Sequence, residues 1–130
     1  MAPASYDVFA RTCPSRPTLE HVTGRWGSLV LGALMPGPVR FNELRRRVDG
    51  VSQKILAQTL QALERDGFVS RELISTFPMH VEYALTPLGQ AVSERLVELF
   101  ELLESQMPAV LESQRRHDEG TRLVDPSRVE

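Results

Sequence analysis

The segment from Ser52 to Asp66 carries side chains that could bind a polyanion, arranged at helical spacing. Its cations and amides recur at intervals of four, three and four residues: Lys54, Gln58, Gln61 and Arg65. At about 100° per residue they share one helix face, opposite a cluster of leucines. No carboxylate occurs in this segment before Glu64. A helix with one apolar face and one donor-rich face is therefore predicted here.

The chemistry of this outer face suits nucleic acid. Lysine and glutamine donate hydrogen bonds to phosphate oxygens and base edges, and glutamine can pair bidentately with adenine in the major groove. Ser52 and Gln53 lie at the start of the helix, where free backbone amides and the helix dipole favour a phosphate. A polar helix face is, however, usually only solvated, and this alternative stays open on the pattern alone. The missing carboxylates favour a polyanion, because solvated helices normally mix both signs of charge.

The rest of the chain limits what else the protein can do. A chain of 130 residues with 42% hydrophobic residues can bury one core. No apolar run approaches the roughly 20 residues of a membrane helix, and the start of the chain lacks the pattern of a secretory signal, so a cytoplasmic protein with no membrane partner is expected. The single cysteine, Cys13, excludes an intrachain disulfide framework, and neither a metal nor another cofactor is expected. Motifs of catalytic sites are missing, so we expect no enzyme activity.

Charge is segregated along the chain. The net charge of −2 argues against a protein that coats nucleic acid without specificity. Cations nevertheless concentrate in one stretch, at Arg40, Arg45, Arg46, Arg47 and Lys54. Carboxylates dominate from Glu82 to Glu119. This separation is typical of a protein with one surface for a polyanion and another that is solvated or meets a partner.

The order of elements indicates how this surface is positioned. Periodicity, caps and breakers predict helices over Thr18–Leu34, Phe41–Val48 and Ser52–Asp66, strands over Phe68–Ile74 and Val81–Thr86, and a long helix from Pro87 to about Ser113. Two helices joined by a short turn and followed by a hairpin form a helix-turn-helix with a wing. The predicted organisation is an N-terminal arm over residues 1–17, this domain with a long C-terminal helix over residues 18–113, and a flexible tail over residues 114–130.

The chain also resembles a known family. The resemblance is carried by CPSRPTLEHVTGRWGSLVLGAL, by GPVRFNELRRRVDGVSQKILAQTLQALERDGFVSR and by VEYALTPLGQAV, and it covers Cys13 to about Val92 without a gap. These motifs are similar to those of the HxlR-type transcription regulators, a branch of the winged-helix proteins related to the MarR group. The resemblance implies a mainly α fold with a small two-stranded antiparallel wing. It also implies a non-catalytic, sequence-specific transcription factor, usually a repressor, that binds double-stranded DNA as a homodimer.

The resemblance distributes roles over this chain. The helix from Ser52 would be the recognition helix, the Phe41 helix its partner and the segment STFPMH the tip of the wing. The long helix would form the dimer interface together with the N-terminal arm and the first helix. We expect base contacts from Gln53, Lys54 and Gln58. Phosphate contacts are expected from Ser52, Arg40, Arg46 and, on the wing, Arg71. Arg40 could instead fix the start of the Phe41 helix, because arginine often packs by its stem.

Cys13 is the remaining candidate for chemistry. Several family members sense oxidants or electrophiles through a cysteine in this N-terminal Cys-Pro context, which implies a redox sensor at Cys13. Arg11 and Arg16 are near enough in sequence to stabilise a thiolate. The alternative is a small buried hydrophobic residue without a sensing role. A small-molecule effector could be held between the dimer helices by Trp26, Met35, Tyr83 and Phe100, although the core or the interface is the favoured place for these residues.

A second class of function remains open. A winged-helix domain can serve as a protein-interaction or dimerisation module that does not read DNA sequence. The salt dependence of binding distinguishes the two classes, because only phosphate contacts release counterions.

Overall fold

The computed structural model describes residues 5–123 and contains five helices and one hairpin in this range. The elements are α1 (Ser15–Thr23), α2 (Gly27–Ala33), α3 (Phe41–Arg47), α4 (Gln53–Arg65), β1 (Val69–Thr76), β2 (Met79–Leu85) and α5 (Pro87–Leu123). The predicted mainly α architecture with a two-stranded antiparallel wing is confirmed.

The core forms around the apolar face of α4. Leu56, Leu60 and Leu63 are all but inaccessible to solvent, and α1, α2 and β1 pack against this helix. The remaining core residues come mainly from the neighbouring elements: Val30, Leu31, Leu34, Leu44, Val48, Phe68 and Val69. Burying one such side chain contributes about 1.5–3 kcal/mol. Because the buried leucines share one face, α4 is held by packing on that face only.

The first predicted helix is two helices. The sequence predicts one helix over Thr18–Leu34, whereas α1 ends at Thr23 and α2 begins at Gly27. The break occurs because Gly24 takes an extended conformation. A Cβ atom at Gly27 would overlap the backbone carbonyl of His21, so the two helices approach each other here as only glycine allows. Helix α1 also begins at Ser15, earlier than predicted.

Two glycines with positive φ set the ends of α4. Gly50, in the turn after α3, has φ of 90°, and Gly67, just after α4, has φ of 86°. Both angles lie in the left-handed region that glycine tolerates best. The turn predicted at Asp49-Gly50 and the helix stop predicted at Gly67 are therefore confirmed.

The wing, the hairpin of β1 and β2, is longer than predicted. Its strands pair from Val69 with Leu85 to Thr76 with Met79, and a bulge between Leu73 and Ser75 interrupts the register. Phe77 and Pro78 are the only residues between the strands. The segment STFPMH is therefore largely strand and not a loop, because pairing continues on both sides of Pro78.

Helix α5 begins as predicted and ends later. Thr86 is its cap, since its Oγ1 accepts a hydrogen bond from the backbone N–H of Gly89 at 3.0 Å. The helix continues to Leu123, beyond the predicted end near Ser113. Pairs of Arg115 with Glu112 and Glu119 support this extension, which lacks the apolar period used for the prediction.

The chain divides into two compact units, Met1–Val97 and Glu98–Glu130. In the described part of the second unit, the apolar side chains of Leu99, Leu102, Leu103, Met107 and Leu111 are exposed. The proposed division into arm, domain and tail stays a prediction, and residues 1–4 of the arm and 124–130 of the tail lie outside the described part. None of the helices within residues 5–123 is long and apolar enough to cross a membrane.

Gly89 marks a close contact between α5 and Phe68, which lies between α4 and β1. A Cβ atom at Gly89 would overlap the backbone carbonyl of Phe68. Thr86 ties the same region together, because its hydroxyl donates to the carbonyl oxygen of Gly67 at 2.5 Å. The start of α5 is therefore held close to the end of α4.

We predict that Gly89→Ala lowers the free energy of unfolding by about 2 kcal/mol or more, because backbone must move to admit the methyl group. Urea denaturation measures the change. Gly120→Ala is the matched control, since its Cβ would meet no atom within 4 Å, and it should leave stability unchanged or raise it by up to about 1 kcal/mol. Equal stability of the two variants would contradict the close contact.

Candidate nucleic-acid interface

The exposed side of α4 begins at a hydrogen-bonded cap. The hydroxyl of Ser52 accepts from the backbone N–H of Ile55 at 3.1 Å, which confirms Ser52 as the cap. Beyond it the exposed amides and cations are Gln53, Lys54, Gln58, Gln61 and Arg65, and Ile55 and Glu64 are exposed as well. The leucines on the opposite face are buried. The predicted outer face is thus free to contact another molecule.

A groove brings two of the predicted phosphate ligands together. Arg40 and Arg46 border a cavity of about 550 Å³ between α3 and β2. The cavity is also lined by Phe41, Asn42, Glu43, Met79 and Val81. We call this the α3–wing groove. Its two guanidinium groups give it a positive rim, which Glu43 partly offsets.

The wing is attached to the domain beside this groove. Tyr83 of β2 exchanges backbone hydrogen bonds with Val39 at 3.0 and 2.8 Å, and its ring lies 6.5 Å from that of Phe41. Arg71 is exposed on β1 opposite Tyr83. Arg71 is not among the residues that line the α3–wing groove. The structure therefore groups Arg40 with Arg46 and leaves Arg71 apart on the wing.

A second groove lies along α4. It has a volume of about 270 Å³ and is formed by Gln58, Thr59 and Ala62 together with Glu20, His21, Gly24, Arg25, Trp26 and Gly27. The Arg25 guanidinium carbon lies 5.1 Å from the centre of the Trp26 ring, a cation–π distance. A cation is therefore held beside Gln58.

A side-chain hydrogen bond connects α1 to the end of α4. Nδ1 of His21 lies 2.6 Å from Oδ2 of Asp66, the C-cap residue of α4. Asp66 is largely shielded from solvent, and its contact with Arg65 is long, at 3.9 Å. The pair joins residues 45 positions apart in the sequence. It holds the end of α4 in place in addition to the packing of the leucines.

Cys13 is half-buried and hydrogen-bonded. Its Sγ lies 3.0 Å from the hydroxyl of Ser15 and accepts from the backbone N–H of Asp7 at 3.3 Å. The side chain and backbone of Ser15, followed by the backbone of Asp7, lower the pKa of the thiol, although the Asp7 charge opposes this. These donors favour the thiolate. Arg16 does not contribute as expected, because its guanidinium donates to the carbonyls of Val8 and Phe9 at 2.7 and 2.8 Å.

Comparison with known proteins identifies the family. The model of the family described as HxlR-like helix-turn-helix matches residues 21–111. The chain belongs to the HxlR-like helix-turn-helix family.

Proteins similar to this chain are HTH-type transcriptional regulators. An uncharacterised HTH-type transcriptional regulator of Escherichia coli strain K12, YtfH, is 54% identical over 105 residues, which cover 81% of this chain and 83% of YtfH. The solved structure of the regulator ytfH from Salmonella typhimurium matches with a TM-score of 0.80 and 50% identity, over 85% of this chain and 99% of that one. Diamide-treated YodB from B. subtilis matches with a TM-score of 0.61 and 31% identity, over 74% and 96% of the two chains.

Sequence reasoning missed two features of this HxlR-like site. Arg25 was overlooked because its place beside Gln58 depends on the break between α1 and α2, which was not predicted. The pairing of His21 with Asp66 joins distant segments and leaves no periodic signal. Within residues 5–123, no group of histidine, cysteine, aspartate or glutamate side chains could hold a metal ion.

Two substitutions at Ser52 separate its capping role from its predicted phosphate contact. Ser52→Ala should lower the free energy of unfolding by about 1 kcal/mol, because the N–H of Ile55 loses its acceptor. Ser52→Asp should preserve stability, since aspartate is an equally good cap, but should weaken DNA binding about tenfold or more by repelling a phosphate. Urea denaturation and DNA titration measure the two effects.

Two results would contradict the predictions for Ser52. Wild-type stability of Ser52→Ala would show that the cap contributes nothing. Wild-type DNA affinity of Ser52→Asp would show that no phosphate approaches Ser52.

Proposed function

We propose that this chain is a homodimeric, sequence-specific repressor that binds a pseudo-palindromic DNA operator and responds to oxidants through Cys13. One observation carries the proposal: the exposed face of α4 offers amides and cations without a carboxylate from Gln53 to Leu63. Membership of the HxlR-like family supports it. A cytoplasmic location is part of the proposal, because the chromosome is its ligand.

In this proposal the start of α4 enters the major groove as the recognition helix. Helix-turn-helix proteins contact bases mainly with the first residues of that helix. Gln53, Lys54 and Gln58 are exposed there and contact base edges, glutamine with adenine and lysine with guanine. The leucine face and the pair of His21 with Asp66 hold the helix while it does so.

Phosphate contacts come from both sides of the helix-turn-helix. Arg40 and Arg46 of the α3–wing groove hold one stretch of backbone, and Ser52 lies at the amide-rich start of α4. Arg71 meets the backbone or the minor groove from the wing. Such contacts fix the register of the protein on the duplex, and the base contacts then supply the sequence preference.

The dimer part of the proposal is supported by the apolar side chains of the second unit. Leu99, Leu103 and Met107 lie four residues apart on α5, and Leu102 and Leu111 extend the surface. These side chains are exposed in the single chain. A contiguous apolar surface of this kind marks an interaction site, and a second copy is the occupant that makes a symmetric DNA reader. A dimer bound to an operator that overlaps a promoter would block that promoter and so repress transcription.

We predict that Lys54→Ala together with Gln58→Ala abolishes sequence preference and leaves the oligomeric state unchanged. Losing two base contacts should cost about 1–3 kcal/mol of discrimination each, which is about a thirtyfold loss or more for the preferred duplex. Competition between the preferred and a scrambled duplex measures the preference. Gln61→Ala together with Arg65→Ala is the matched control: it removes the same types of side chain from the second half of α4 and should keep the preference.

Two results would count against the assignment. If the double variant at 54 and 58 selects the same site as the wild type, α4 is not the recognition helix. A salt series separates DNA binding from the alternative of a protein-interaction module: about 6 phosphate contacts in a dimer give a slope near −5 for log K against log salt, whereas a protein interface responds far less.

The redox part of the proposal rests on the environment of Cys13. Its thiol has a lowered pKa, and the residue is only half-buried, as is typical of reactive cysteines. The relative YodB has been solved in a diamide-treated form. Diamide would accept two electrons and two protons from two thiols, which leaves one disulfide between two chains or with a small thiol.

We predict that Ser15→Ala raises the pKa of Cys13 and slows its alkylation by iodoacetamide near neutral pH, because the largest stabiliser of the thiolate is lost. The midpoint of alkylation rate against pH measures the shift. The wild type should titrate below the same protein unfolded in urea, and Ser15→Ala should lie between them. An unchanged midpoint would disprove the role of Ser15. Oxidant-sensitive DNA binding that persists in Cys13→Ser would disprove the sensor.

A further inference from the structure

The tip of the wing, residues 73–79, is apolar and exposed. Its large apolar side chains have exposed fractions of 53% at Leu73, 50% at Ile74, 97% at Phe77 and 71% at Met79. Single exposed apolar residues are normal on a protein surface, but a cluster within one short hairpin end marks an interaction site. The DNA contacts proposed above leave this cluster without a role.

The tip is continuous with the cationic surface proposed to hold DNA. Met79 and Val81, two residues apart on one face of β2, line the α3–wing groove together with Arg40 and Arg46. A phosphate backbone in that groove would therefore lie against the side of the wing. The apolar tip begins where the groove ends.

The wing is long enough to extend from one groove of DNA to the neighbouring groove. The stretch from the bridge at Tyr83 to Pro78 spans about 16 Å, at about 3.3 Å per residue. Half a helical turn of B-DNA is about 17 Å, since a full turn is about 34 Å. A wing anchored beside the major groove can thus present its tip to the adjacent minor groove.

The composition of the tip decides what it can contact there. From Leu73 to Val81 the chain has no aspartate, glutamate, lysine or arginine. His80 is hydrogen-bonded to Glu82 at 2.8 Å, and the segment offers no lysine or arginine to a phosphate. The apolar surfaces that DNA does offer are the faces of its bases, and minor-groove proteins reach them by inserting phenylalanine, methionine or proline between base steps.

We propose that Phe77, supported by Met79, acts as a wedge that enters the minor groove, partly unstacks one base step in each half of the operator and bends the duplex. The wedge rests on the proposed DNA-binding function. The hydrogen bond from the Ser75 hydroxyl to the carbonyl oxygen of Pro78, at 2.6 Å, closes the turn and presents Phe77. The unstacked step lies outside the bases contacted by α4 and is TA or CA/TG, the steps that deform most easily.

The test uses the full-length protein and a duplex that it selects. Energy transfer between dyes on the two duplex ends measures the bend, and 2-aminopurine placed at successive adenines reports unstacking by its fluorescence. The wild type should bend the duplex by about 20° or more at each wedge and brighten one position in each half. Phe77→Ala should lose the brightening and most of the bend, and should bind about tenfold more weakly.

Ile74→Ala is the matched control, because Ile74 is 50% exposed on the same hairpin but is not part of the wedge. It should bend and brighten the duplex as the wild type does. Both variants should keep wild-type stability in urea, since neither side chain is buried. Loss of the bend in both would overturn the assignment to Phe77.

Three results would overturn the wedge, and they differ in whether they also contradict the proposed function. Specific binding by the wild type without bend or brightening overturns the wedge alone and leaves the proposed function intact. No specific binding overturns both. A change in oligomeric state caused by Phe77→Ala in sedimentation assigns the tip to a protein interface and overturns the wedge.

Discussion

Burial of Leu56, Leu60 and Leu63 is the constraint on which the rest of the structure depends. A helix as short as α4 is marginal in water by itself, so its packing on α1, α2 and β1 decides both that it forms and which face it exposes. The left-handed glycines at Gly50 and Gly67 set where it begins and ends. The polar face is thus a consequence of the apolar one.

The same constraint explains how much the sequence could predict. Helix α4, its cap at Ser52 and its stop at Gly67 were predicted because local signals and the leucine period agree. The break between α1 and α2 was missed because it depends on the approach of Gly27 to the carbonyl of His21, a tertiary contact. The end of α5 was missed because ion pairs and not an apolar period support its last turns.

The candidate site was likewise predicted only in part. The exposure of Lys54 and Gln58 follows from helical periodicity alone. The groove that joins Arg40 and Arg46 to the wing needs the hairpin to be placed against α3, which the sequence does not encode locally. One apolar framework therefore arranges three kinds of surface around it: donors on α4, cations beside α3 and an apolar tip on the wing. Together they form the DNA-binding surface that we propose.

Selection of bound duplexes from a random DNA pool is the most direct test of the central claim. If two copies each insert α4 into the major groove, the enriched sequences should form a pseudo-palindrome with half-site centres about 10 bp apart or slightly more. Enrichment of a single unpaired half-site would contradict the dimer. Absence of any enrichment would mean that the polar face of α4 serves a protein partner or only water.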